Sequence, residues 1–324
     1  MFCHDPLLRG AIRLNLLTDR VDIVQDLGWR RNTSALTDTD VKYLLLYFEQ
    51  TYGLTSEKKM TAALSIVANE NCYHPIQDVL NGLVWDGTPR IRSCLHHFLG
   101  ADESDYVEEM LKHFLLGAIR RVFRPGSKYE EMLCLVGGQG AGKSSFFRLL
   151  AIRDEWFSDD LKKLDDDRVY LKLQGHWIIE MSEMLATSSA KSIEEIRSFI
   201  SRQKETYRTP YEAQPKDRLR QCVFGGSSNT LDFLPLDRAG NRRFLPIMIY
   251  PENAEAVSYT HLDVYKRQAT RWWETTTSPI WSYRRKAAPW GGGAGCTKRF
   301  CKNTGPASTM PCFCRENSGH ILLT

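Results

Sequence analysis

Eight consecutive residues, Gly137-Gly138-Gln139-Gly140-Ala141-Gly142-Lys143-Ser144, carry the clearest chemistry in the chain. Glycines let a backbone wrap a phosphate with its N–H groups turned inward, where a Cβ would obstruct them. A lysine at the next position reaches the β- and γ-phosphates, and a following hydroxyl takes a Mg²⁺ position. The pattern G-x-x-x-x-G-K-[ST] becomes a phosphate site when a strand leads into it and a helix leaves it. Both flanks are present. Met132 to Val136 is an apolar run of strand length, and Phe146, Phe147, Leu149 and Leu150 recur at helical spacing. The helix contributes the positive end of its dipole to the same spot. Residues Gly137 to Ser145 are therefore the candidate ATP-binding run, with Lys143 catalytic and Ser144 on Mg²⁺.

Acidic and polar partners lie downstream. Trp177-Ile178-Ile179-Glu180 is a short apolar strand ending in a carboxylate, with Glu183 three residues further. A glutamate at such a strand end beside a phosphate loop polarises water and helps hold Mg²⁺. A strand ending in a solvated glutamate fits the same residues, and the roles of Glu180 and Glu183 are interchangeable at this level. Gln221 to Phe224 has strand character and runs into Gly225-Gly226-Ser227-Ser228-Asn229. Asn229 at that tip suits contact with the γ-phosphate, although Asn after Gly-Gly-Ser-Ser also reads as a turn residue. Arg242 and Arg243 precede a further strand, and a planar, permanently charged guanidinium is what a neighbouring subunit inserts at developing phosphoryl charge. Between these elements, residues 202–220 hold six basic side chains with two tyrosines and two prolines. Cations interleaved with aromatics suit a hairpin tracking a nucleic-acid backbone, and equally a solvated connector.

A series of helices precedes these residues. Thr37 or Asp38 caps a helix over about 40–52 that Gly53 stops. Further helices start at Ser56, Pro75 and Pro89, and a longer one runs from Ser104 to Phe123. Residues 1–36 read weakly. The chain divides into a small helical region over 1–124, an α/β core with a parallel sheet over 125–256, and a tail over 257–324. No apolar run approaches the ~18 residues of a membrane span, and the N-terminus lacks the apolar core of a signal peptide. Nine cysteines, scattered until the last 30 residues, suit a reducing cytoplasm. The net charge of +4 is uneven: residues 252–324 hold 10 Lys+Arg against 5 Asp+Glu, and the rest of the chain sums to −1. Nucleic-acid binding must therefore rest on local patches rather than on pI.

GGQGAGKSS, WIIEMSE, KETYRTPYE, FGGSSN and DRAGNRRFLPI occur in this order, after WDGTPRI and RPGSKYEEML. Together they resemble the virulence-associated protein E family of phage and mobile-element ATPases, related to superfamily 3 helicases and primase-helicases. The resemblance spans about residues 5–250. It implies an AAA+-like P-loop NTPase core that assembles as a ring, a hexamer by analogy, and moves along single-stranded or forked DNA using ATP and Mg²⁺. It implies Lys143 and Ser144 as the Walker A pair, Glu180 with Glu183 as Walker B, Asn229 as sensor, and Arg242 or Arg243 as arginine finger. It puts Lys204, Arg208 and Tyr211 on a DNA-contacting hairpin, and the protein in the cytoplasm of a bacterial or phage-infected cell, with no membrane partner. An ATPase switch without helicase work, and an inactive remnant, are the alternatives.

The tail departs from that family. VSYTHLDVYKRQ at 257–268 resembles a translated adaptor sequence, and residues 269–324 have no convincing period. Residues 257–324 are read as foreign to the natural protein. Cys296, Cys301, Cys312 and Cys314 do not match a recognised zinc spacing.

Overall fold

The computed structural model describes residues 2–161, 164, 169–181, 190–207, 216–231 and 242–254. The N-terminal region is not purely helical. Strands β1 (Ile12–Asn15) and β2 (Arg20–Ile23) pair antiparallel ahead of helices α1 (Asp38–Tyr52) and α2 (Glu57–Glu70). Four-residue strands are too short for alternation to show in sequence. The hairpin is made by its turn: Asn15 Oδ1 accepts from Leu17 N and Thr18 N, and Asp19 adopts φ 54°. Thr37 is the cap of α1. Its hydroxyl accepts from Asp40 N, and Asp40 Oδ2 accepts in return from Thr37 N at 2.9 Å, a complete capping box. Gly53 closes α1 in the left-handed conformation. Ile12, Ile23, Leu44, Phe48, Met60 and Leu64 form the buried cluster of this part.

Next come α3 (Pro75–Asn81), α4 (Ile91–Leu99), two residues later than its proline suggests, and α5 (Asp105–Phe123). Ser104 Oγ accepts from Val107 N at the start of α5. The phosphate-loop strand is β3 (Met132–Val136), followed by α6 (Lys143–Leu150), β4 (Phe157–Ser158), α7 (Val169–Leu173) and β5 (Ile178–Glu180). Helix α8 (Ala190–Ile200) begins before the Ser192 expected to open it. Strands β6 (Lys204–Tyr207) and β7 (Lys216–Leu219) make the hairpin expected in 202–220, in antiparallel register Lys204 opposite Leu219. Strands β8 (Val223–Ser228) and β9 (Phe244–Met248) complete a five-stranded, wholly parallel sheet in the order β4-β5-β8-β3-β9.

Both faces of this sheet are covered, so its central strand is apolar throughout rather than alternating. Leu133 and Leu135 of β3 face α3, α4, α5 and α6, where Leu95, Leu111, Phe114 and Phe147 are buried. Met132, Cys134 and Val136 face the opposite layer with Leu173, Ile196 and Phe199. Helices α3–α5, although they precede residue 124, share one apolar cluster with the sheet.

Gly225-Gly226-Ser227-Ser228 is strand, not turn. Glycine weakens a strand in isolation, but β8 is paired on both sides, to β3 and to β5. Gly225 is required there: a Cβ would lie 2.5 Å from Cε1 of the buried Phe147.

Candidate nucleotide site

The loop between β3 and α6 turns through two residues in the left-handed region, Gly140 at φ +81° and Gly142 at φ +79°. Gly137 must also lack a Cβ, which would meet Ile249 Cγ1 at 2.5 Å and the Ile249 carbonyl at 2.8 Å. These constraints cradle a cavity of about 340 Å³ lined by Gln139, Gly140, Ala141, Gly142, Lys143, Ser144, Ser145 and Asn229. That volume is at the lower end for small-molecule sites. Helix α6 starts at Lys143, so its unpaired N-terminal amides open onto the cavity.

Three strand ends meet there. Lys143 Nζ donates to the carbonyls of Gly137 (2.5 Å) and Gly138 (2.8 Å) and to Asn229 Oδ1 (3.3 Å). Ser144 Oγ donates to Glu180 Oε1 at 2.9 Å, and Ser227 Oγ donates to the same oxygen at 2.6 Å. Glu180 is fully buried, and its Oε2 has no hydrogen-bond partner among the described residues. Burial pushes the Glu180 carboxyl above its ordinary range, opposed by the Ser227 and Ser144 hydroxyls; the nearby Asp159 pushes the same way as burial. Burial lowers Lys143, opposed by the charge of Glu180.

An unpartnered buried carboxylate oxygen next to a serine hydroxyl is a hard-oxygen pair suited to Mg²⁺. Among the described residues no three His, Cys, Asp or Glu side chains group as a metal cage. A Mg²⁺ ion held by Ser144 and Glu180 would keep its other positions for water and phosphate oxygens.

A model of the virulence-associated protein E-like domain matches residues 80–287, more than half of the chain. The protein belongs to this family. The match runs past residue 256 into the segment read as foreign, all of which lies outside the described residues. Solved chains of the C-terminal region of NrS-1, in apo form, are similar at 13–14% identity with TM-scores of 0.44–0.45. The similarity covers 80–81% of this chain and 64–65% of those, so the chain spans about 65% of the length of the solved chains it matches. No curated protein matches the sequence.

Of the residues singled out in this virulence-associated protein E-like chain, the fold brings together Gly137 to Ser145, Glu180 and Asn229. Glu180 is not on the strand adjacent to β3; β8 intervenes. Glu183, Arg208 and Tyr211 lie outside the described residues. Arg242 and Arg243 are at the far edge of the sheet. Phe244 pairs in register with Met132, so both arginines stand beside the start of β3, about 16 Å of strand from the phosphate loop. Arg243 is half-buried and engaged within the chain, 3.5 Å from Glu130 Oε2 and donating to the Arg197 carbonyl, whereas Arg242 is exposed. Lys204 is held across the hairpin by Asp217. Ser227 reads in sequence as part of a turn and was not singled out. A hydroxyl two residues before Asn229 faces the glutamate only because β8 is extended and lies next to β5.

Proposed function

We propose that this chain is an ATP-hydrolysing motor of the virulence-associated protein E-like family, with a replication-related role and single-stranded or forked DNA as its track. The observation that carries this reading is the convergence of Lys143, Ser144 and Asn229 on one glycine-cradled cavity, with Glu180 buried behind it and hydrogen-bonded to Ser144. In the reading, loop amides and Lys143 bind the β- and γ-phosphates of ATP. Ser144 and Glu180 hold Mg²⁺, which when bound neutralises developing phosphoryl charge. Lys143 must swing from the Gly137 and Gly138 carbonyls to reach the nucleotide. Glu180 is ionised in the working state and orients water, and Asn229 contacts the γ-phosphate.

No arginine lines the cavity among the described residues. This supports hydrolysis at an interface, with Arg242 reaching a neighbouring subunit of an AAA+-like ring. Arg242 is the better candidate, because Arg243 is committed to Glu130. The second reading, an ATPase switch without DNA work, is favoured by one observation: the hairpin cation Lys204 is already paired with Asp217. No described helix is long and apolar enough to cross a membrane.

The test is ATP hydrolysis by the full chain with and without single-stranded DNA, beside Lys143→Ala. DNA-stimulated turnover that Lys143→Ala abolishes is expected. Turnover indifferent to DNA would favour the switch, and turnover that survives Lys143→Ala would defeat the site assignment.

A further inference from the structure

Two arginines are buried at the root of the β6–β7 hairpin. Arg121, near the end of α5, is completely inaccessible. The described residues offer it no carboxylate within ion-pair distance. Its guanidinium instead donates to main-chain carbonyls from separate segments: Tyr129 O at 2.7 Å on the approach to β3, Cys222 O at 2.7 Å on the approach to β8, and Arg202 O at 3.4 Å just ahead of β6. Arg220, between β7 and β8, is almost as deeply buried. It donates to Phe199 O (2.5 Å) and Ile200 O (3.5 Å), the terminal carbonyls of α8, and to Glu205 on β6. Its plane lies over the rings of Phe199 and Phe224, 4.6 and 5.2 Å from their centroids.

Burying a cation is costly, and an apolar side chain of similar volume would often be at least as stable. What a planar five-donor fork adds is a fixed geometry between the segments it bridges. Here the bridged segments are both limbs of the hairpin, the end of α8 and the start of β8. Strand β8 then runs about 20 Å to the nucleotide cavity, where Ser227 holds Glu180 and Asn229 holds Lys143.

We propose that Arg121 and Arg220 are positioning residues that bind the hairpin root to β8 as one rigid body, so that the state of the nucleotide cavity and the state of the hairpin are read through each other. The proposal rests on the ATP-binding reading above and adds the route by which the hairpin is linked to it. Neither arginine touches the cavity. Hydrogen-bonded segments that run from one site to the other are one route by which such coupling travels, and the exchange experiment below is what demonstrates it.

The experiment is amide hydrogen exchange of the full chain over residues 204–219, with and without ATPγS, for wild type, Arg220→Lys and Arg121→Lys. Lysine keeps the charge but cannot bridge several carbonyls in one plane. Saturating ATPγS is expected to change hairpin exchange by about fivefold or more in the wild type. In each variant that response should be lost, while ATPγS affinity stays within about threefold of wild type. ATP turnover is measured alongside, and any stimulation by single-stranded DNA should fall with the exchange response. Variants that respond as the wild type does would overturn the proposal and leave the ATP-binding reading standing. So would variants whose hairpin exchanges faster to the same extent with and without nucleotide while still responding, since that marks a purely structural role. If both lysine variants fail to fold, the pair is structural and the proposal falls. A wild type that does not bind ATPγS would defeat the ATP-binding reading and this proposal with it.

Discussion

Ser227→Ala tests the site at the residue that sequence alone did not reveal. In the free protein, Glu180 Oε1 accepts from both Ser144 and Ser227, and each hydroxyl favours the ionised carboxylate against the burial that opposes it. In the nucleotide-bound state proposed here, Ser144 turns to Mg²⁺ and Ser227 is the remaining donor to that oxygen. A hydrogen bond to a charged group contributes about 1.5–3 kcal/mol. Removing it favours the protonated form, so the acid limb of the pH–rate profile moves to higher pH. At a fixed pH on that limb the rate falls about tenfold or more, because each ~1.4 kcal/mol is a factor of ten. The plateau at higher pH, where Glu180 is ionised in both proteins, changes much less. The two profiles also separate: kcat/KM reports the free enzyme, where hydroxyls alone favour the carboxylate, and kcat reports the complex, where Mg²⁺ on Glu180 would favour it as well. The limb of kcat/KM therefore moves further than that of kcat. The assay is steady-state ATP hydrolysis from acid to neutral pH. A uniform drop at every pH, or a limb displaced to lower pH, would refute the reasoning.

Three further outcomes are expected. Gly225→Ala sets a Cβ 2.5 to 2.8 Å from ring atoms of Phe147 and destabilises by about 1–3 kcal/mol in denaturant unfolding; Phe147→Leu should relieve part of that loss, and equal costs in both backgrounds would contradict it. Glu180 has a folded pKa above its ordinary 4.5, so the stability it contributes is present below that value and lost as pH rises through the raised one; unfolding of nucleotide-free Glu180→Gln should lack this loss, and matching pH slopes would rule it out. Burial alone would raise Asp40, but hydrogen bonds from Trp29, Arg31 and Thr37 hold it at about 2. Its contribution is therefore present above the ordinary 3.8 and disappears as pH falls towards 2. Asp40→Asn should flatten that acid limb and cost about 1–3 kcal/mol at neutral pH, read from the unfolding midpoint.

What the sequence determined was local. The apolar run Met132–Val136, the glycine turn after it and the periodic residues of α6 specify strand, loop and helix from neighbours a few positions apart, and the structure has the strand at those bounds with the helix over Lys143–Leu150. The start of α1, narrowed to a cap at Thr37 or Asp38, its stop at Gly53 and the strand ending in Glu180 are legible for the same reason. The tertiary structure decided everything set by distant partners. Strand β8 lies between β3 and β5, and that neighbourhood keeps Gly225 to Ser228 extended against their own preference for a turn and brings Ser227 onto Glu180. The register of β9 on β3 sends Arg242 and Arg243 to the edge away from the phosphate loop. Arg121 reads in sequence as an ordinary basic residue in a helix's last turn. Only the packing of α5 against the sheet strips it of water and gives it to the carbonyls of three other segments. Local preference is written in adjacent residues, whereas strand order and the burial of a charge depend on contacts between segments more than a hundred residues apart, which no short stretch of sequence encodes.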